Sequence, residues 1–168
     1  PMPLVAEFEQ ASGGATITAS QVTVYSLCAL KYKFTYVDRL PRPWKSSAFA
    51  FGTAIHSALE AWQMSRLAGE DMNPEDVEKI FLADWEAEKA GGVLFKDDDQ
   101  DGTLVQRGRV LIGLAMDYLK KEPPQAVELP FVADVVDPET GEVMDFKIRG
   151  VFDLLLSDDR IVEMKART

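Results

Sequence analysis

Three charged residues in an otherwise apolar stretch carry the clearest chemical signal in this chain. Asp153 lies in the run 150–156, which is rich in Val, Phe and Leu, and Glu163 and Lys165 lie in the run 161–165 with Ile, Val and Met. Between them stands the polar break Ser157-Asp158-Asp159-Arg160. Charges among such neighbours must be paired, hydrogen-bonded or bound to metal. Residues two apart in a strand share a face, so Glu163 and Lys165 project together, roughly 7 Å apart along the chain. A hairpin between the two runs adds Asp153. Two carboxylates and an ammonium group form a set that a divalent cation and a phosphate ester would require.

The hairpin register follows from parity, because directly opposed residues of an antiparallel pair lie on one face. A two-residue turn at Asp158-Asp159 opposes Asp153 to Met164 and separates the charges. A three-residue loop over Asp158, Asp159 and Arg160 opposes Asp153 to Lys165 and gathers all three charges. It sends Phe152, Leu154, Leu156, Val162 and Met164 into a core, with Leu155 and Ile161 as exceptions. The second register is the expected one.

The elements that must position these residues read as helices followed by strands. Ser20 is a reasonable N-cap for a helix to about Val37, with Val24, Leu27, Cys28 and Leu30 to Phe34 as its apolar face. Pro41 and Pro43 break the chain. A second helix starts near Phe51-Gly52 and carries Ile55, His56, Leu59, Glu60 and Trp62. Asn73-Pro74 opens a third, with Val77, Ile80, Phe81, Leu82 and Trp85. Residues 105–120 form a fourth, ending before Pro123-Pro124. Strands are expected over 127–136, 143–156 and 161–166, with turn chemistry at 137–141. Trp62, Phe81 and Trp85 read as core, and Cys28 as a small buried apolar residue.

The fold expected is α+β, with N-terminal helices packed on a three-stranded antiparallel meander. The 168 residues are read as a single domain, with a flexible start at 1–15, a helical part at 16–124 and a catalytic sheet at 125–168. The open sheet edge suggests a fragment, or a domain completed by self-association or by a partner.

Composition narrows the classes. No apolar run approaches the length of about 20 residues that spans a bilayer. The single cysteine fits a reducing, cytoplasmic setting and excludes an internal disulfide framework. Net charge is −10, but its distribution matters more than its sum. Residues 69–102 hold twelve acids against three bases. Residues 31–45 hold five bases, Lys31, Lys33, Arg39, Arg42 and Lys45, against Asp38. That patch, interleaved with Tyr32, Phe34, Tyr36 and Trp44, suits phosphates and stacked bases. It reads equally as a solvated helix surface. Asp97 to Gly102 mimics the start of a calcium loop, but Gly108 stands where the decisive glutamate belongs, so a solvated acidic loop is expected.

Gly150-x-x-Asp153 followed after nine residues by Glu163-x-Lys165 resembles the signature of the PD-(D/E)xK nucleases. Two upstream segments sharpen the likeness to the RecB-like exonuclease branch. Ser20 to Phe34 is similar to that branch's first helix, and Gly52-x-x-x-His56 to its histidine helix. Glu128 falls where the family often has a glutamate. The resemblance spans residues 16–168 and implies a restriction-endonuclease-like core whose C-terminal helix and strand are missing here. It implies a Mg²⁺ or Mn²⁺ ion held by Asp153, Glu163, His56 and the Met164 carbonyl. Lys165 would position the attacking water, and Glu128 and Glu60 would support the ligands from behind. DNA is the implied partner, within a larger nuclease or helicase-type assembly, with Tyr25, Lys31, Lys33, Arg39, Arg42 and Lys45 as contacts. Ala29 departs from the family's usual proline after the cysteine. An iron–sulfur cluster needs three more cysteines than this chain has.

The leading expectation is therefore a metal-dependent DNA exonuclease hydrolysing phosphodiester bonds. The alternative is a catalytically inactive nuclease-like module that binds DNA or protein. A structural ion-pair network would also account for the three charges. A glycoside hydrolase is disfavoured, because the lysine would keep both acids ionised and leave no general acid.

Overall fold

A computed structural model of the protein describes residues 15–42, 44–96 and 100–166. Residues 1–14 of the expected loose start and residues 97–99 of the acidic loop lie outside the described residues. The chain divides into two compact units, Pro1–Pro41 with Pro130–Val151, and Arg42–Leu129 with Phe152–Thr168. Strands β4 (Pro124–Val136) and β5 (Val143–Leu156) each contribute residues to both.

In the first unit, β1 (Ala15–Thr18) pairs parallel with β5, Ala15 opposite Phe146 and Thr18 opposite Arg149, and β5 pairs in turn with β4. With the short final strand the sheet is four-stranded and mixed, so the α+β class holds and a parallel strand is added to the three expected ones. The β4–β5 turn forms because Asp137 Oδ1 accepts from the amides of Glu139 and Thr140 at 2.7 and 3.1 Å, while Gly141 takes φ +74°. Gly150 has a steric reason as well. A Cβ there would come within 2.7 Å of the Phe131 ring, so only glycine lets that ring lie on the strand.

Helix α1 (Ala19–Leu27) starts at Thr18 rather than at the expected Ser20. Thr18 Oγ1 accepts from Gln21 N, and Gln21 Oε1 accepts from Thr18 N, a reciprocal cap that Ser20 could not make. The helix does not run through to Val37. It breaks at Cys28, whose backbone is extended (φ −164°, ψ 104°) and whose Sγ accepts from Lys31 N to start α2 (Ala29–Tyr32). A π-helical turn, Lys33–Val37, follows. None of these three helical pieces buries a residue, and Leu27 and Leu30 are 78% and 58% exposed. Cys28 is likewise exposed, because its thiol caps a helix instead of filling a core.

The second unit holds the packed core. A short parallel pair, β2 (Lys45–Ser46) with β3 (Val93–Leu94), leads into α3 (Ser47–Leu67), which is capped by Ser46. Helix α4 (Pro74–Ala90) has Asn73 as its cap, Pro74 in its first turn, and acids beside the N-terminal dipole. Helix α5 (Asp101–Leu119) starts earlier than expected, because Asp101 accepts from the Trp85 indole at 2.6 Å and from Lys89 at 2.8 Å. Phe51 meets both Phe81 and Trp85 edge to face at 6.2 Å, and these rings with Trp62 are fully or almost fully buried. Gly108, which the calcium-loop pattern could not use, permits this packing. A Cβ there would come within 2.2 Å of Phe81.

The last hairpin belongs to the same unit. Leu154 opposes Val162 and Leu155 opposes Ile161. The expected face pattern survives, but the register is displaced by two residues, which places Asp153 level with Glu163 rather than Lys165. Strand β6 covers only Ile161–Val162, not 161–166. The amide of Met164 donates to Asp153 Oδ2 at 2.6 Å, so a side chain takes the place of a strand partner.

Candidate metal centre

His56 projects from the middle of α3, one turn after Gly52 and one turn before Glu60. All three line an open pocket of about 730 Å³ with Glu128, Met164 and Lys165. A Cβ on Gly52 would meet nothing, so this glycine serves to leave pocket space rather than to relieve a clash. Asp153, 9% exposed, is the only buried carboxylate among the described residues. Its Oδ2 lies 3.6 Å from His56 Nε2, which also donates to the Met164 carbonyl. Asp153 is thus held by the Met164 amide, with the imidazole beside it.

Glu128 completes the arrangement by an unexpected backbone choice. It takes φ +50° within a strand, the left-handed region that a non-glycine residue rarely adopts. A ligand atom from each of His56, Glu128 and Asp153 then falls within 4.8 Å of the others. Burial holds the Glu128 carboxyl above its ordinary range, and Glu60, Asp153 and Glu163 push it the same way, against the lowering influence of His56. One imidazole and several carboxylate oxygens are a donor set that a hard divalent cation accepts. The residues present therefore fit such an ion.

The sequence-predicted residues separate into three groups. His56, Asp153 and Met164 converge as expected. Glu128 moves from a supporting position into the ligand group. Glu163 stays outside it, about half exposed, with its carboxylate 3.8 Å from Lys165 Nζ. Glu60 and Lys165 line the pocket without joining the group. Of the expected DNA contacts, Tyr25, Lys31, Lys33 and Arg39 fall in the first unit, and Arg42 and Lys45 in the second. Lys33 is paired with Asp38 at 2.5 Å and Lys45 with Glu88 at 2.7 Å.

A family model described as the PD-(D/E)XK nuclease superfamily matches residues 16–168. The chain belongs to this superfamily. Membership implies a nuclease, a hydrolase of phosphodiester bonds in nucleic acid, and nucleases of this superfamily typically use divalent metals. No curated protein and no solved structure matched the chain. Asp153, Glu163 and Lys165 lie within the matched residues, and His56 and Glu128 approach Asp153 from other elements. Among the described residues, no helix is long and apolar enough to cross a membrane.

Proposed function

We propose that this protein is a Mg²⁺- or Mn²⁺-dependent deoxyribonuclease of exonuclease type, within the RecB-like branch. The convergence of His56, Glu128 and Asp153, beside an open pocket that His56 and Glu128 line together with Lys165, carries this reading. These three residues would hold the cation, with the Met164 carbonyl and Glu163 as further oxygen donors. The bound ion would lower the pKa of its water and neutralise charge on the phosphoryl oxygens.

The chain's own residues divide the remaining work. Asp153 keeps its carboxylate aimed because the Met164 amide holds Oδ2. The same contact ties the Glu163–Lys165 segment to β5, so that Lys165 stays at the pocket. The Lys165 ammonium would orient the attacking water and stabilise negative charge on the phosphate. Glu60 lies behind His56 on the pocket wall and adds to the field that favours a cation. The larger assembly and the cytoplasmic setting expected from the sequence belong to this proposal.

Labelled single- and double-stranded DNA, incubated with Mg²⁺ or Mn²⁺ and with EDTA, tests it. Metal-dependent release of nucleotides from an end is expected. Asp153→Ala and Lys165→Ala should each lower the rate by at least about a thousandfold, the scale set by removing a group that acts only on the transition state. Cleavage that survives either substitution, or that persists in EDTA, contradicts the proposal.

A further inference from the structure

The first unit carries a ring cluster that the metal centre does not use. Tyr25 and Tyr32 meet at right angles with centroids 5.4 Å apart, and Tyr36 continues from Tyr32 at 5.2 Å. The break at Cys28 creates this corner, since it redirects the chain between Tyr25 on α1 and Tyr32 on α2. Tyr25 and Tyr32 wall a pocket with Ile17, Gln21, Val22 and Ser26. Its volume is about 240 Å³. That is below the roughly 300–1,000 Å³ of pockets that engulf a small molecule. Such a shallow corner suits a flat group laid against a ring. Tyr25 is 61% exposed, so apart from its edge-to-face contact with Tyr32 much of the ring is open to a ligand.

Charge selects among flat groups. Residues 19–41 contain Lys31, Lys33 and Arg39 against the single acid Asp38, in a chain whose net charge is −10. Lys33 is occupied by Asp38, whereas Lys31 and Arg39 make no ion pair among the described residues. An aromatic corner on a segment that also carries two such cations is complementary to a base attached to a phosphate.

We infer that the Tyr25–Tyr32 corner is a stacking platform for an unpaired base of single-stranded DNA, with Lys31 and Arg39 as phosphate contacts. The inference rests on the nuclease reading for the identity of the polymer, and it adds the strand state of the substrate. Duplex DNA does not satisfy it, because base faces in a duplex are covered by their neighbours. An apolar protein surface satisfies the rings less well than a nucleic acid does, since it leaves both cations unmatched.

Fluorescence anisotropy with the full chain in EDTA tests the platform without cleavage. The probe is labelled oligothymidylate of about twelve nucleotides, within the site sizes seen for single-strand binders. It should bind more tightly than a blunt duplex of equal length and more weakly as salt rises. Tyr25→Ala should weaken binding about tenfold, the order expected for losing one stacked base, and Tyr25→Phe should restore it. Lys31→Gln should flatten the salt dependence. Equal affinity for the duplex, or a Tyr25→Ala protein within twofold of wild type, overturns the inference. So does an oligomer that Tyr25→Ala dissociates while oligothymidylate binding stays unchanged, because the face would then belong to a second copy. Metal-dependent cleavage is scored separately. Cleavage with no effect of Tyr25→Ala on binding rejects the platform alone, and Tyr25-dependent binding without cleavage under any metal rejects the nuclease reading alone.

Discussion

The helices of the two units are built from similar residue types and end in opposite states. In the second unit, α3, α4 and α5 bury Phe51, Trp62, Phe81, Trp85 and Leu104, and a tight core holds carboxylates at a pocket. In the first, α1, α2 and the π-helical turn bury nothing, and Tyr25, Leu27, Leu30 and Phe34 stay exposed. Apolar content alone does not decide burial. What decides it is whether close approach is possible, as Gly108 allows for Phe81, and whether the backbone stays regular, as it fails to do at Cys28. One unit spends its aromatic rings on rigidity, and the other presents them to solvent.

The contrast can be broken at the core first. Phe81→Ala should destabilise the protein by about 3–5 kcal/mol, while Leu27→Ala should change stability by no more than about 0.5 kcal/mol. Denaturant unfolding of both variants measures this, and similar losses would mean that Leu27 is covered by something. The next effect is smaller. Thr18→Ala removes a cap that α1 needs in the absence of a buried face, and should cost about 1 kcal/mol or melt that helix locally, visible as faster amide exchange over 19–27.

The smallest effect concerns pH. Glu128 has a folded-state pKa above its ordinary 4.5, so the folded protein holds that proton more tightly than the unfolded chain does. Stability from this group is therefore present at low pH and lost as pH rises through the window between 4.5 and the higher folded value. In EDTA, Glu128→Gln should raise the melting temperature at pH 7 by about one or two degrees. The gain should vanish once the pH drops below the ordinary value. Thermal melts across that range check the sign, and a lower melting temperature for the variant at neutral pH contradicts it.

Much of this was legible in the sequence where local chemistry is strong. Asn73-Pro74 marked a helix start, and the alternation over 143–156 marked a strand whose bounds the structure reproduces. Asp153 and His56 were recognisable from their motifs. The rest depended on long-range choices. The use of Asp153 as partner for the Met164 amide shortened β6 and shifted the hairpin by two residues. The parallel strand β1 needs a partner more than a hundred residues away, which periodicity does not reveal. Glu128 looked like an ordinary glutamate at a strand entrance. Its left-handed backbone, which swings it toward His56 and Asp153, has no sequence signal apart from the family resemblance.

The most direct test of the central claim is Mn²⁺ titration by calorimetry on wild type and on the Asp153→Asn, Glu128→Gln and Glu163→Gln proteins. The account predicts a bound ion in wild type, affinity lowered at least about tenfold by Asp153→Asn and Glu128→Gln, and a smaller loss for Glu163→Gln. Wild-type affinity in Glu128→Gln, with loss confined to Glu163→Gln, would contradict the placement of the cation on His56, Glu128 and Asp153.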